Sequence, residues 1–226
     1  MRLYIGNKNY SSWSLRPWVL MRVLDIPFEE RLVPFRSAEW QAVEELSPTG
    51  RVPCLVDGER LVWDSLAITE YLAEIRSEVW PADRTARAFA RSVAAEMHSG
   101  FQALRAMCSM NCGLKVRLSA VTPAVARDWA RIDALWQDGL SRFGGPFLAG
   151  TGFTAADAFY APVAFRARTY APDLSPASSA YVARLLDLPA MQDWFRAALA
   201  EPWRDAPHEA EILAAGTILE DLRQAG

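Results

Sequence analysis

The chain has 226 residues, a formal net charge of −3 at pH 7 and 51% hydrophobic residues. It is long enough for two domains, and its apolar content excludes a disordered chain. The acidic balance argues against a nucleic-acid surface, which normally carries a basic excess. No apolar run approaches the roughly 18 residues of a membrane helix, and the N-terminus is polar within six residues, unlike a signal peptide.

Cysteine usage indicates the cellular compartment. Three cysteines are an odd number that does not make a disulfide framework, so we expect a cytoplasmic protein. Cys108 and Cys112 are four residues apart, but with only two histidines in the chain we expect them to be buried apolar residues and predict no metal site.

The first eighty residues alternate between strand and helix patterns. Apolar spacing and an Asp-Gly turn predict the order βαβαββα, with strands over 2–6, 28–35, 51–56 and 60–63 and helices over 14–25, 38–46 and 64–75. Asp64 or Ser65 is placed to cap the last of these helices. This order predicts one compact α/β sheet domain.

The rest of the chain has helical patterns and no convincing strand. Amphipathic stretches predict helices over 85–117, 123–143, 154–168, 178–186 and 189–200. The stretch 208–222 is also expected to be helical and to cover either the core or a cleft. In "TAAD", Thr154 and Asp157 predict a capping box worth about 1 kcal/mol. We therefore predict a domain over 1–78, a linker over 79–86 and an all-helical domain over 87–226.

Three motifs and this element order resemble those of the cytosolic glutathione transferases. "RVPCLV" is similar to their third-strand signature, in which the peptide before Pro53 is cis. "DSLAITEYL" resembles the motif that opens their third helix, and "TAAD" the capping box of their second domain. The resemblance covers essentially the whole chain and implies a thioredoxin-like N-terminal domain followed by an α-helical C-terminal domain. "SSWS" is similar to the "SSCS" of the zeta class and also fits the serine-containing tau class, but Trp13 stands where zeta proteins carry cysteine.

The resemblance implies glutathione as co-substrate, with a serine hydroxyl stabilising its thiolate. Ser11 takes the family position of the serine that donates to sulfur, and Ser12 is its neighbour. Lowering a thiol pKa by about two units requires about 2.7 kcal/mol. A charge-assisted hydrogen bond supplies about 1.5–3 kcal/mol and a helix N-terminus about 0.3–1 kcal/mol. The alternatives are that the serines only start a helix, with Ser14 as a cap or packed residue, or that Tyr10 takes the role of Ser11.

The family pattern also implies the glutathione contacts. The backbone of Val52, held by Pro53, pairs with the cysteinyl unit, and Asp64 and Ser65 hold the γ-glutamyl end, with Asp64 reaching across a dimer contact; their alternative role is capping. Arg51 either meets the glycyl carboxylate or is a solvated charge.

The electrophile is expected to bind against the second domain. His98, Phe101 and Arg105 have the spacing of one helix face, and the resemblance places that helix against the glutathione site. A histidine and an arginine there can hold an anionic substrate; the alternative is packing.

The predicted function is a glutathione transferase that acts on a small electrophile, with a role in detoxification, as a cytoplasmic homodimer without nucleic-acid or membrane partners. Two alternatives stay open: a glutathione-dependent cis–trans isomerase of the maleylacetoacetate or maleylpyruvate type, and a non-catalytic binding protein of the same fold. A dithiol oxidoreductase is disfavoured, because Ser11 and Ser14 stand where such proteins carry cysteines.

Overall fold

The structure, a computed structural model, describes residues 1–223. Its N-terminal part follows the predicted order: β1 (Arg2–Ile5), α1 (Ser12–Val23), β2 (Glu29–Leu32), a 3-10 turn leading into α2 (Gln41–Leu46), β3 (Cys54–Asp57), β4 (Arg60–Trp63) and α3 (Ser65–Ile75). The strands form one sheet in the order β2-β1-β3-β4. β1 pairs parallel with β2 and antiparallel with β3, which continues into the β3–β4 hairpin. The βαβαββα prediction is confirmed.

Most of the second part is helical. It contains α4 (Arg84–Ser99), α5 (Gln102–Met107), β5 (Leu114–Leu118), α6 (Pro123–Phe143), α7 (Ala155–Tyr170), α8 (Pro176–Asp187), α9 (Pro189–Ala200), α10 (Ala206–Ala215) and β6 (Gly216–Asp221). Helix α7 is buried nearly all round and packs against α1, α4 and α8. None of the helices within residues 1–223 combines the length and apolar character that crossing a membrane needs. The domain boundaries at 78 and 87 stay a prediction, although the last three residues of the expected linker, 84–86, belong to α4.

The prediction of one helix over 85–117 is wrong. Helix α4 ends at Ser99, because Phe101 takes a left-handed conformation with φ +58° and a Cβ at Gly100 would lie 2.7 Å from the Glu96 carbonyl oxygen. After α5 the chain is extended and forms β5, in which buried and exposed residues alternate.

The expectation of no strand beyond the linker is also wrong, as is a helix over 208–222. Helix α10 stops at Ala215, and β6 follows and pairs antiparallel with β5. Gly216 permits this pairing, because a Cβ there would lie 2.1 Å from the Arg117 carbonyl oxygen.

The capping box at the start of α7 is confirmed. The Asp157 carboxylate accepts from the Thr154 backbone N–H at 2.9 Å, from the Leu148 N–H at 3.0 Å and from the Tyr181 hydroxyl at 2.9 Å. Burial raises the pKa of Asp157 to about 6 against these hydrogen bonds. The central helix therefore begins at a fully buried and well-satisfied carboxylate.

Candidate functional site

The serines lie at the corner between β1 and α1, on the wall of a cleft of about 310 Å³. This serine cleft is lined by Tyr10, Ser11, Ser12, Trp13, Phe35, Trp40, Arg51, Val52, Arg105, Ser109, Met110, Arg166, His208 and Glu211. Ser11 is the residue before α1, and its side chain makes no capping hydrogen bond.

The three serine hydroxyls have different surroundings. Ser11 Oγ donates to Ser14 Oγ at 2.7 Å, and Ser14 Oγ accepts from the Gly6 N–H at 3.2 Å. Ser14 is completely buried, as a packed residue should be. The hydroxyl of Ser12 has no hydrogen-bond partner anywhere in the described part of the chain, residues 1–223, and it lies on the cleft wall. The Ser12 hydroxyl is therefore the one of the three that is available to donate a hydrogen bond to a ligand.

The loop that leads to the serines is held by the second half of the chain. The Lys8 N–H donates to Glu201 Oε1 at 2.6 Å, and Trp194 Nε1 donates to the Lys8 carbonyl at 2.8 Å. Asn9 Oδ1 accepts from the Cys112 N–H at 2.9 Å. Burial raises the pKa of Glu201 to about 7, although the Lys8 and Asn9 backbone N–H groups and the Lys8 charge oppose it.

The peptide between Val52 and Pro53 is cis, so this expectation is confirmed. Arg51 and Val52 line the serine cleft, whereas Pro53 is buried behind them at the start of β3. The residue before the proline therefore lies on the cleft wall together with the serines.

The pair that opens α3, Asp64 and Ser65, lies outside the lining of the serine cleft and is linked to Trp13 through His98. Asp64 has φ +73° and caps α3, since its Oδ1 accepts from the Leu66 N–H at 2.7 Å, and its Oδ2 lies 3.6 Å from His98 Nε2. The His98 ring meets Trp13 edge-on, with centroids 5.2 Å apart. Burial lowers the pKa of His98, and the neighbouring Asp64 charge opposes that shift. A positive φ outside glycine is often retained at a functional site.

Arg16 is a buried charged side chain next to Ser65 and Trp13. The side chain is completely buried, its Nη1 donates to Ser65 Oγ at 3.4 Å, and its Nε and Nη2 have no partner among the described residues. Its guanidinium carbon lies 4.0 Å from the centroid of Trp13. Burial lowers the pKa of Arg16 well below its usual value, and the charges of Arg105 and Arg166 lower it further.

Arg105 and Arg166 are the two arginines of this cluster that line the cleft. Arg105 lies 4.8 Å from the Trp13 ring centroid and donates through Nε to the Gly100 carbonyl at 2.9 Å. Arg166 donates through Nε to the Cys108 carbonyl at 2.8 Å, and burial, helped by Arg105, lowers its pKa to about 10. Within residues 1–223 none of the three arginines forms an ion pair. The cleft wall therefore carries two arginines, Arg105 and Arg166, that have no carboxylate partner among the described residues.

Of the three residues expected to hold the electrophile, the structure brings His98 and Arg105 together around Trp13, with Arg105 Nη2 3.5 Å from the His98 carbonyl oxygen, but it does not bring Phe101 to the cleft. Arg105 lines the serine cleft, His98 lies behind Trp13, and Phe101 is 7% exposed within the hydrophobic core. They do not share a helix face, because α4 ends between His98 and Phe101.

Several cleft residues were not found by sequence reasoning. Trp40 and Phe35 come from the segment between β2 and α2, and His208 and Glu211 come from α10, so the C-terminal segment covers the cleft. The Tyr10 hydroxyl donates to Glu209 Oε1 at 2.6 Å. Burial and this carboxylate raise the pKa of Tyr10 to about 12, which disfavours Tyr10 as the donor to sulfur.

Two family models match the chain. Residues 10–75 match the glutathione S-transferase N-terminal domain, and residues 116–197 match the glutathione S-transferase C-terminal domain. A zeta-class glutathione S-transferase of Euphorbia esula is 31% identical over 157 residues, which cover 67% of this chain and 70% of that protein. A probable maleylacetoacetate isomerase of Caenorhabditis elegans is 27% identical over 181 residues, covering 77% and 82%.

Solved structures give the same result. A glutathione transferase homologue from Burkholderia, determined with bound glutathione, superposes with a TM-score of 0.66 at 25% identity and covers 87% of this chain and 97% of that one. A zeta-class maleylpyruvate isomerase superposes with a TM-score of 0.67 at 24% identity, covering 88% and 98%, and supports the fold. The chain therefore belongs to the glutathione transferase family and is an enzyme that uses glutathione.

Proposed function

We propose that this enzyme ionises the thiol of glutathione with the hydroxyl of Ser12, with Ser11 as the second donor, for attack on a small electrophile. The observation that carries the proposal is the unpartnered Ser12 hydroxyl in the first turn of α1, on the wall of the serine cleft. The hydroxyl donates to the sulfur, and the free N–H groups of the first turn add a favourable potential for the anion.

The remainder of glutathione is proposed to lie along the same wall. The backbone of Val52 pairs with the cysteinyl unit, and Pro53 holds that backbone toward the cleft. Ser65, with the free N–H groups at the start of α3, receives the γ-glutamyl carboxylate, and Asp64 receives the ammonium. The buried charge of Arg16, 3.4 Å from Ser65 Oγ, supports a carboxylate at this end.

The thiolate role is tested by replacing each serine separately. Ser12→Ala should lower kcat/KM for conjugation of an aromatic chloride by about 30-fold or more and raise the pKa of the bound thiol, read from thiolate ultraviolet absorbance. Ser11→Ala should cost less, and Ser141→Ala, an exposed serine of α6, is the matched control. Affinity for S-methylglutathione should not change. Wild-type thiol pKa values in both the Ser11 and Ser12 variants would refute the proposal.

A second candidate is the glutathione-dependent isomerase, because Arg105 and Arg166 offer cations to a substrate that carries carboxylates. In this reaction the thiolate adds to one carbon of a cis double bond, the resulting single bond rotates, and expulsion of the thiolate restores the double bond as trans. No redox partner is required. Two of the similar proteins are named as isomerases of maleyl compounds.

The two candidates are separated by assaying both reactions on one preparation. If the isomerase is correct, the protein turns over a maleyl diketo acid faster than an aromatic chloride, and Arg166→Met lowers only the isomerisation, by about tenfold. Conjugation faster than isomerisation, with equal sensitivity of both to Arg166→Met, supports the transferase.

We also propose a cytoplasmic homodimer that detoxifies electrophiles. Leu61, Val62 and Trp63 of β4 form an apolar face with α3, and Trp63 is 41% exposed. This face is proposed to meet the second domain of the partner. Trp63→Glu should shift the sedimentation coefficient from that of a dimer to that of a monomer, and a wild-type monomer would refute the dimer.

A further inference from the structure

We infer that His208 of the C-terminal helix α10 binds the glycyl carboxylate of glutathione. This inference rests on the proposed function and adds a ligand contact from the end of the chain to a site built otherwise from the first domain.

The order of groups along the wall places the glycyl end of the tripeptide. Asp64 and Ser65 lie on the side of Trp13 that faces His98, and the serines follow next. A tripeptide whose γ-glutamyl end lies there and whose cysteine lies at Ser12 directs its glycine away from α3. Phe35, Trp40, Arg51 and His208 are cleft-lining residues outside both the serine cluster and the α3 pair. Phe35, Trp40 and His208 also line the adjoining groove against α2.

The ring of His208 is held in a fixed orientation. It stacks with Tyr10, with centroids 5.1 Å apart and planes 23° apart, and with Phe35, with centroids 5.6 Å apart and planes 17° apart. Its Nδ1 makes a hydrogen bond to Asp205 Oδ2, and Asp205 is also paired with Arg36. Because Nδ1 is occupied and two aromatic rings stack on the imidazole, the Nε2 edge is the remaining polar edge.

The surrounding charges favour an anion at that edge. A ligand carboxylate at this edge accepts from an Nε2–H, while Nδ1 stays hydrogen-bonded to Asp205. The Arg51 guanidinium, which lines the same cleft, supplies a cation. Two of the acidic residues nearby are engaged by other side chains: Glu209 by Arg223 and Tyr10, and Glu211 by the hydroxyl of Ser109. A carboxylate at this place thus has the Nε2 edge of His208 and the Arg51 cation in the same cleft, with Glu44 in the adjoining groove.

The test varies the glycyl carboxylate and His208 together. Dissociation constants for glutathione, for γ-glutamylcysteine, which lacks glycine, and for the glycyl ethyl ester are measured by calorimetry on wild type and His208→Gln. We expect His208→Gln to weaken glutathione about five- to tenfold and the other two ligands less than about twofold. His208→Arg, which supplies a planar N–H donor that stacks on aromatic rings, should restore most of the affinity.

His98→Gln is the matched control, because His98 is the other histidine of the chain and lies at the γ-glutamyl end. It should affect glutathione and γ-glutamylcysteine equally. An equal loss of affinity for all three ligands in His208→Gln, or no loss, overturns the inference. Because the three ligands are compared on the same variant, a misfolded fraction of the protein does not change the result. Wild-type protein that binds neither glutathione nor γ-glutamylcysteine refutes the proposed function itself and this inference with it.

Discussion

Asp157 and Arg16 are both completely buried charged side chains, but their surroundings differ. Asp157 accepts hydrogen bonds from the Leu148 and Thr154 backbones and from the Thr154 and Tyr181 hydroxyls. Arg16 has one long bond to Ser65 and two nitrogens without partners. A buried charge is costly unless it is hydrogen-bonded. The first domain therefore keeps a buried positive charge that its own ring contacts and hydrogen bonds satisfy only in part, next to Ser65 and Trp13.

The largest expected effect on stability is at Asp157, the buried charge that has hydrogen-bond donors around it. Asp157→Ala leaves three buried donor residues without an acceptor, so the free energy of unfolding should fall by about 3–5 kcal/mol, measured by urea denaturation. Asp193→Ala, exposed on α9, is the control and should change it by less than about 0.5 kcal/mol. A loss below about 1 kcal/mol in Asp157→Ala would remove the distinction between the two buried charges.

Glu201 lies between Asp157 and Arg16 in this comparison, since it is buried and its carboxylate accepts hydrogen bonds from two backbone N–H groups. Its folded pKa of about 7 lies above its usual value of 4.5, so the protonated form favours the fold. Its stabilising contribution should be complete below about pH 4.5 and disappear as the pH rises through 7, by on the order of 3 kcal/mol. Glu201→Gln should flatten this part of the stability profile. An unchanged profile in that variant would assign the pH dependence elsewhere.

Arg16→Met tests the unsatisfied charge directly. Removing an unpaired buried cation while keeping an apolar side chain should leave the unfolding free energy within about 1 kcal/mol of wild type. The pKa of the bound glutathione thiol should rise by about one unit, because a positive charge near the anion is lost. A large loss of stability with an unchanged thiol pKa would contradict a role for Arg16 in ligand binding.

The smallest effect is expected at an exposed charge pair. Arg131 donates to both carboxylate oxygens of Glu96 at 2.7 and 2.8 Å, but both side chains are partly exposed. Arg131→Ala should lower the unfolding free energy by less than about 1 kcal/mol, and added salt should reduce the difference further. A larger, salt-insensitive loss would show that hydrogen-bond geometry matters more than burial.

The sequence was sufficient to predict the helices and strands of the first domain, because the residues that indicate each element lie close together in the chain. Alternating apolar residues, the Asp-Gly turn and the capping residue Asp64 lie within each element that they define. The cis peptide at Pro53 followed from the family motif and not from local patterning.

The second domain was predicted less completely because pairings distant in sequence decide its strands. β5 and β6 are about a hundred residues apart, and the alternation within each is short. The same reason explains why Arg166 and His208 were missed at the cleft: each approaches the serines only through the packing of α7 and α10. Ser11, Ser12, Arg51 and Val52 were found because they lie next to the motifs themselves.

The anchoring of the loop before the serines limits how this enzyme can be recombined with its relatives. Lys8 and Asn9 depend on Trp194, Glu201 and Cys112, all contributed by the other half of the polypeptide. A chimera that joins this N-terminal half to a foreign C-terminal half would keep the serines but lose the groups that position them. Functional shuffling within the family should therefore succeed only when both halves of this contact are inherited together.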